Sequence, residues 1–456
     1  MTPDELSGAP VLVAGAGVSG LAAAAALVEV GARVTVTDAR PDALADLPPG
    51  AEPGDDPDVV PAGTALVVTS PGRRPDHPLV AAAAAAGVPL VGEPELAWWL
   101  GQARKRPPVW LVVTGTNGKT TTTGMLAAVL RAAGRDAVAC GNIGYPVVDA
   151  VRAGHEVLAV ELSSFQLHWS PSIRPFAGCV LNVADDHLDW HGSFDAYAAA
   201  KAQALRADVA VAGVDDPAAA ALLAQAPAPR RVGVTLGVPG PGRLGVVDGM
   251  LVDRAFHEGV ALVEAAAVHP GGAPGIADAL AAAALARAAG VGPDAVRDGL
   301  DDFRPGPHRG GVVGTVDGVR YRDDSKATNP HAAAASLAAQ APTPVVWIVG
   351  GLLKGASVDE LVARHADGLR AAVVIGSDRT EILAALARHA PEVPVAEVVP
   401  GDDEVMTTAV RRAAALARPG DVVLLAPAAA SMDQFADYAE RGQRFADAVA
   451  GLDAAG

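Results

Sequence analysis

Only two cysteines, Cys140 and Cys179, occur in 456 residues. One conceivable pair in so long a chain is no disulfide framework, which argues for a reducing compartment. Charged residues are sparse at 19%, against 50% hydrophobic ones, and this balance excludes a disordered chain. Basic residues are outnumbered: 35 Lys and Arg against 52 Asp and Glu leave a net charge of −17. Such a chain is poorly suited to gripping nucleic-acid phosphates, and the acidic excess reads as a solvated surface. Long apolar runs are also missing. Ala81–Ala86 is apolar through alanine alone and is followed by Gly87 and Pro89, so no membrane span is expected. The N-terminus carries Asp4 and Glu5 with no basic stretch before an apolar core. No signal peptide is expected, and the expected location is the cytoplasm.

What is present is alternation. Val11–Ala14, Val34–Thr37, Leu66–Thr69, Val109–Val113, Val157–Val160, Val345–Val349, Ala371–Ile375 and Val422–Ala426 read as buried strands. Ser19–Val30, Thr120–Ala133 and Gly275–Ala289 read as helices. This pattern predicts an α/β protein with parallel sheets covered on both faces. At ~100–200 residues per domain, the length fits about three domains. Arg104-Lys105-Arg106-Pro107-Pro108 reads as a solvated linker, and Arg304-Pro305-Gly306-Pro307 as a second break. The expected domains are therefore 1–103, 104–305 and 306–456. Asp208–Val268, rich in Gly and Pro, reads as loops and small strands within the middle one.

Gly15-Ala16-Gly17-Val18-Ser19-Gly20 follows a strand and opens a helix, and Asp38 ends the next strand. Glycines permit a tight turn, helix N–H groups face a phosphate, and an acid suits a ribose hydroxyl. A nicotinamide or flavin site, another nucleotide diphosphate site, and a tight turn that binds nothing all satisfy this motif.

Leu111-Val112-Val113-Thr114-Gly115-Thr116-Asn117-Gly118-Lys119-Thr120-Thr121-Thr122 is more specific. A strand leads into a Gly/Thr loop, then Lys-Thr, then a helix. Loop N–H groups can wrap phosphate, Lys119 can reach the β- and γ-phosphates, and Thr120 can bind Mg²⁺. The usual first glycine is replaced by Val113, so the loop is a shortened variant of an ATP or GTP site.

Glu161-Leu162-Ser163-Ser164-Phe165-Gln166 and Asn182-Val183-Ala184-Asp185-Asp186-His187-Leu188-Asp189 each follow a strand. Ligands sit at such strand ends. Glu161 and His187 are plausible Mg²⁺ or substrate ligands; a hydrogen-bonded loop histidine and helix-capping aspartates are the plainer alternatives. Phe194, Tyr197 and Lys201 share one helix face, and Lys201 is expected to snorkel to solvent. In the last third, Pro307-His308-Arg309, Asp323-Asp324-Ser325-Lys326-Ala327-Thr328-Asn329-Pro330, Gly350–Gly355 and Ala426–Phe435 are polar loops. Three of these loops at strand ends of one domain suggest a shared crevice.

In their order, Thr114–Thr120, Asn142-Ile143-Gly144, Glu161–Gln166, Asn182–Asp189, Tyr197-x-x-x-Lys201, Pro307-His308-Arg309, Asp324–Asn329 and Ser431-x-Asp433-Gln434-Phe435 resemble the Mur ligases over nearly the whole chain. The resemblance implies three domains: a Rossmann-like N-terminal domain for a UDP substrate, a central P-loop ATPase domain with a mostly parallel sheet, and a Rossmann-like C-terminal domain for an amino acid. The Asp324–Asn329 piece with Gly350-Gly351-x-x-Lys354-Gly355 points to addition of D-glutamate to UDP-N-acetylmuramoyl-L-alanine. Another Mur-type or folylpolyglutamate-type ligase is the alternative.

The implied chemistry is amide formation through an acyl phosphate, with ATP and Mg²⁺, in peptidoglycan precursor synthesis by a monomer. By the same resemblance, Gly17, Val18, Ser19, Gly20, Asp38, Ala39, Arg40, Ser70 and Gly72 would hold the UDP moiety. Asn142, Ser163 and Gln166 would line the path of its muramoyl-alanine arm. ATP would meet Gly115, Thr116, Asn117, Gly118, Lys119, Thr120, Thr121, Arg309 and Asp324. Thr120, Glu161, His187 and a carbamylated Lys201 would serve Mg²⁺, which overrides the snorkelling expectation. His187, Thr328, Lys354, Ser431, Met432 and Tyr438 would meet D-glutamate. Lys119, Glu161, His187 and Lys201 are the expected catalytic set. Three positions depart from the family pattern. Pro274-Gly275-Ile276-Ala277-Asp278 stands where His-Asn-x-x-Asn is usual, so Asp278 and backbone are the expected adenine contacts. Tyr438 stands in place of phenylalanine, and Ala429 in place of cysteine.

Overall fold

The computed structural model describes residues 1–399 and 404–453; residues 400–403 and 454–456, within the expected third domain, lie outside the described residues. Three sheets organise the chain. The first contains β1 (Pro10–Ala14), β2 (Arg33–Thr37), β3 (Ala51–Pro53), β4 (Leu66–Thr69) and β5 (Leu90–Gly92). Its order is β3-β2-β1-β4-β5, and every pairing is parallel. The order reverses between β1 and β4, where open α/β sheets bind ligands beyond their carboxyl ends. Alternate residues of β1 serve two cores: Val11 and Val13 pack with Leu27 and Val36, and Leu12 and Ala14 with Leu79 and Ala83.

The second sheet contains β6 (Val109–Thr114), β7 (Ala137–Gly141), β8 (Val157–Glu161), β9 (Ala177–Val180), β10 (Val209–Gly213), β11 (Arg230–Val234), β12 (Arg243–Val247), β13 (Met250–Asp253) and β14 (Val260–Glu264). Its order is β14-β13-β12-β11-β10-β9-β6-β8-β7. The sheet is parallel as far as β12; β12, β13 and β14 then form an antiparallel extension. The Gly- and Pro-rich stretch after Asp208 thus continues the same sheet. Leu111 and Val113 face a core with Leu126, Leu130 and Leu280, while Trp110 and Val112 face the opposite side. Parallel strands buried on both faces explain the unbroken apolar runs.

The third sheet contains β15 (Gly311–Val316), β16 (Val319–Asp323), β17 (Val345–Gly350), β18 (Leu369–Ile375), β19 (Val395–Glu397) and β20 (Val422–Leu425). Its order is β15-β16-β20-β17-β18-β19, parallel apart from the β15–β16 hairpin. Val345, Trp347 and Val349 face one core and Val346 and Ile348 the other. The first two sheets fall in one compact unit (Met1–Val183, His187–His269, Gly275–Phe303) and the third in another, which includes the chain from Arg304 onward. Among the described residues, no helix is long and apolar enough to cross a membrane.

A buried carboxyl lies inside the first unit. Glu93, at the start of helix Glu93–Gln102, accepts from Val148 N at 2.6 Å, at the N-terminus of helix Val147–Ala153. Burial raises its carboxyl to about 7, against the lowering by the Val148 N–H. The folded state therefore holds a proton that the unfolded chain releases near 4.5. This group's contribution is fully present below that value and is lost as pH rises through about 7. The loss amounts to about 3 kcal/mol. Glu93→Gln is expected to remove that part of the decline between pH 5 and 8, read by chemical denaturation at both pH values.

Candidate active site

The central loop is shaped by its glycines. Gly115 (φ +158°) and Gly118 (φ +84°) adopt backbone angles that side chains disfavour, and Gly118 caps helix Lys119–Ala132. A Cβ at Gly118 would lie 2.2 Å from Asp278 Oδ1. Asp278, on helix Ala273–Ala288, therefore stands against the Gly115–Gly118 loop itself. Lys119 Nζ donates to the carbonyl oxygens of Gly115 (3.0 Å) and Thr116 (2.8 Å), which hold the ammonium over the loop. Thr120 is half-buried and Thr121 buried on the first turn.

Two residues that sequence reasoning did not assign fix this loop. Asn182, just past β9, accepts from Asn117 N at 2.9 Å and donates to Asn117 O at 3.2 Å. Tyr197 Oη shares a 3.0 Å hydrogen bond with Thr116 Oγ1. Asn182→Ala breaks both bonds to Asn117 and is expected to raise the KM for ATP about tenfold or more, with affinity for uridine nucleotides unchanged. Steady-state kinetics against calorimetry checks the split.

Glu161 ends β8 in register with Val113 of β6, so the sheet itself carries it to the loop. It is 1% exposed. Oε1 accepts from Asn142 Nδ2 at 2.9 Å, while Oε2 is buried without a hydrogen-bond partner. A buried carboxylate oxygen left open is costly unless something binds it. Ser163 and Gln166 form a reciprocal capping box on helix Ser164–His168, with Gln166 N to Ser163 Oγ at 3.2 Å and Ser163 N to Gln166 Oε1 at 2.9 Å.

His187 sits in left-handed backbone (φ +53°), and its ring lies 4.7 Å from that of Phe165. Phe165 also packs on Trp190 and His191. His191 shares a 3.0 Å hydrogen bond with Ser164 Oγ. Burial, then the nearby His168, His187 and Lys201, pushes His191 down to about 4, so it is neutral at ordinary pH. Lys201 corrects the snorkelling expectation: it is only 2% exposed. Its Nζ donates to Gly115 O at 2.7 Å and lies 4.4 Å from the Tyr197 ring centroid. The neighbouring helix residues are mostly alanine, too small to push a long side chain outward, and the loop carbonyl draws its head inward.

At the first sheet, Gly15 (φ +124°) lets Ser70 approach: a Cβ there would lie 1.9 Å from Ser70 Oγ. At Gly20 a Cβ would meet Gly15 O at 1.8 Å, so helix Val18–Glu29 can pack on the turn only with glycine there. Asp38 accepts from Ala16 N and Arg40 N, both at 2.9 Å. Burial raises its carboxyl, but the Arg40 and Ala16 N–H groups outweigh that and hold it below the usual value. The acid thus occupies one N–H of the glycine turn, leaving those of Gly17, Val18 and Ser19. Gly17, Val18, Ala39, Arg40 and Gly72 are exposed, and Ser19 is half-buried.

In the C-terminal unit the three polar loops meet through backbone bonds. Gly350 N donates to Pro427 O, Ala428 N to Ala327 O (both 2.9 Å), and Leu352 pairs both ways with Ala430. Ser431 is buried, Thr328 and Tyr438 half-buried, and Lys354 (φ +52°) and Met432 exposed. Arg441 went unnoticed in sequence. It is 1% exposed and donates to Ser325 Oγ (3.0 Å), Ser325 O (2.8 Å) and Ala429 O (3.0 Å). It therefore ties the loop before Thr328 to the loop before Ser431, at a desolvation cost that pulls its guanidinium down to about 10. His308 Nδ1 lies 2.6 Å from Asp323 Oδ2. Burial raises the Asp324 carboxyl to about 6, against its bond from Ser336 and the charge of Arg309. Arg309 and Asp324 belong to this unit, and the Gly115–Thr121 loop to the other.

Among the described residues, no group of three or more His, Cys, Asp or Glu forms a ready-made metal cage. The buried, unpartnered Glu161 Oε2 suits a hard cation that draws its remaining ligands from phosphate and water.

Comparison with known proteins accords with this geometry. A model of the Mur ligase middle domain matches residues 113–239, and one of the Mur ligase glutamate ligase domain matches 308–429. The C-terminal domain model of alanine dehydrogenase/PNT matches residues 4–52, the stretch around the glycine turn. The UDP-N-acetylmuramoylalanine–D-glutamate ligase of Nocardia farcinica is 56% identical, covering 98% of both chains. That of Mycolicibacterium smegmatis is 54% identical, covering 97% of this chain and 96% of its own. Among solved structures, UDP-N-acetylmuramate–alanine ligase of Thermotoga maritima shares the fold at a TM-score of 0.60 and 18% identity, covering 97% of this chain and 99% of its own. The MurF ligase of the same organism, solved in complex with ADP, aligns at 0.57 and 16% identity, covering 98% and 96%. The chain belongs to the Mur ligase family, among its UDP-N-acetylmuramoylalanine–D-glutamate ligases.

Proposed function

We propose that the chain joins D-glutamate to the alanine carboxylate of UDP-N-acetylmuramoyl-L-alanine, driven by ATP. The near full-length identity to ligases of that name carries the substrate assignment. We assign the UDP moiety to the β1–β5 sheet (1–103), ATP to the β6–β14 sheet (104–305) and D-glutamate to the β15–β20 sheet (306–456). Free, buried Cys140 and Cys179 suit a reducing cytoplasm.

The loop Gly115–Thr121 wraps the nucleotide phosphates with backbone N–H groups, and Asn182 and Tyr197 keep it in shape. Lys119 places a cation where charge develops on the transferring phosphoryl oxygens. Asp278, from its position at Gly118, contacts the nucleotide next to the loop. Glu161 Oε2 and the Thr120 hydroxyl would hold one Mg²⁺, and His187 with Lys201, once carbamylated, a second. Bound ATP supplies the phosphoryl group that converts the alanine carboxylate into an acyl phosphate, and Mg²⁺ would supply the charge that neutralises the phosphate oxygens. Asn142 positions the muramoyl-alanine arm beside Glu161, with Ser163 and Gln166. Thr328, Lys354, Ser431, Met432 and Tyr438 bind D-glutamate, with Lys354 as the cation for a carboxylate. The amine attacks the acyl carbon, phosphate leaves, and the amine loses a proton.

The test is phosphate release from ATP with Mg²⁺ and UDP-N-acetylmuramoyl-L-alanine, with D-glutamate present or replaced by L-glutamate, D-alanine, L-lysine or diaminopimelate. Release with D-glutamate alone, with an amide product of the expected mass, is expected. Release with a different amino acid instead would overturn the substrate assignment.

A further inference from the structure

The loop that follows β4 carries an arginine placed as a ligand is placed. Arg73 leaves the carboxyl end of β4 at the point where the order of the first sheet reverses, beside the glycine turn of β1. Its Nε donates to Thr69 Oγ1 at 3.0 Å, Nη2 approaches Ala14 O at 3.4 Å, and Nη1 meets the His77 ring at 3.0 Å. None of these partners is a carboxylate. The charges of Asp58 and Asp38 act on the guanidinium from further off, and it remains half-buried.

The backbone around Arg73 is held from outside its own sheet. Trp190 Nε1 donates to Gly72 O at 3.1 Å and Trp169 Nε1 to Arg73 O at 3.3 Å. The next residue, Arg74, donates to Asp189 O at 2.7 Å. Three residues, from two segments that follow β8 and β9, therefore fix the position of one short loop. Such support belongs to a binding group more than to a surface side chain.

The neighbouring glycine turn has a matching need. Asp38 takes the Ala16 N–H and brings a negative charge next to the turn. An anion there meets fewer backbone donors and more repulsion than a bare glycine turn would offer. A guanidinium supplies what is missing, because its planar fork suits phosphate oxygens.

We infer that Arg73 is a phosphate-binding residue of the nucleotide subsite, contacting the diphosphate of the uridine nucleotide from the β4 side while the glycine turn contacts it from the β1 side. This rests on the reading of the first sheet as the UDP site. Phosphate recognition is then shared between a rigid backbone turn and one arginine braced by His77. Uridine recognition is separate and does not involve Arg73.

The test uses the full chain and two probes, UDP and uridine, with calorimetry for the first and ligand-observed NMR for the second. In Arg73→Met the preference for UDP over uridine is expected to fall about tenfold or more, with uridine affinity unchanged. Arg73→Lys, which keeps a charge but not the fork, is expected to retain part of the preference. Taking the ratio within each variant cancels any fraction of misfolded protein. An unchanged ratio in Arg73→Met, or an equal loss of both ligands, overturns the proposal. If the parent chain binds neither probe, the nucleotide reading of the sheet falls, and the inference falls with it. That outcome is distinguishable because it appears before any substitution.

Discussion

Lys119→Ala is expected to lower turnover about a thousandfold or more while leaving affinity for the UDP substrate within a few-fold. The asymmetry follows from position. Lys119 donates to Gly115 O and Thr116 O, so its charge is held over the phosphate loop of the second sheet. The proposed UDP subsite lies on the first sheet, around Gly15 and Ser70. In the proposed mechanism, removing the ammonium takes away the charge assigned to the transferring phosphoryl group, while the bonds of Lys119 Nζ to Gly115 O and Thr116 O lie on the second sheet and not at Gly15. Single-turnover phosphate release and calorimetry with UDP-N-acetylmuramoyl-L-alanine read the two effects separately. A loss of UDP-substrate affinity comparable with the loss of turnover would contradict the division of labour between the sheets.

The second large effect belongs to Lys201. Lys201→Ala is expected to cost about a hundredfold or more in turnover and to be partly restored by formate, acetate or propionate. Its Nζ donates to Gly115 O at 2.7 Å, beside the loop that would cradle phosphate. An ammonium there repels Mg²⁺. Addition of CO₂ to the amine, with loss of a proton, forms a carbamate that presents oxygens instead. Truncation to alanine leaves room for a small carboxylate to supply the same oxygens. No rescue at any concentration, with thermal unfolding unchanged, would count against the carbamate. Rescue by neutral amides as strong as that by carboxylates would show the cavity is merely being filled.

How much of this was readable in the chain depends on the range of each interaction. The strand–turn–helix at Val109–Ala132 was legible because strand, glycines, Lys119 and helix are contiguous, and their angles need no distant partner to be inferred. Glu161 was legible for the same reason: it closes an apolar strand. The β1–β4 reversal and the antiparallel β12–β14 extension were not, because strand order depends on pairing across the chain. Helix periodicity alone leaves Lys201 reading as a snorkelling lysine, because it identifies a face but not what that face meets. Asn182 and Tyr197 clamp a loop some 65 and 81 positions away, respectively, and only the fold brings them there. Arg441 lies in a helix of mixed charge, Tyr438–Asp453, where nothing marks one arginine as the buried one. Arg73 and Arg74 look alike in sequence. The structure sends Arg73 toward the glycine turn and Arg74 toward Asp189.

The central claim is that the alanine carboxylate is activated by phosphorylation and then captured by D-glutamate. The most direct measurement starts from UDP-N-acetylmuramoyl-L-alanine labelled with ¹⁸O in that carboxylate. It follows the label by mass spectrometry after turnover with ATP, Mg²⁺ and D-glutamate. If a carboxylate oxygen attacks the γ-phosphorus, that oxygen leaves with phosphate when the amine displaces it. The account predicts inorganic phosphate carrying one ¹⁸O and an amide product that has lost one. An amide product that has lost one ¹⁸O alongside unlabelled phosphate, with the lost label found in AMP or in water, would contradict it.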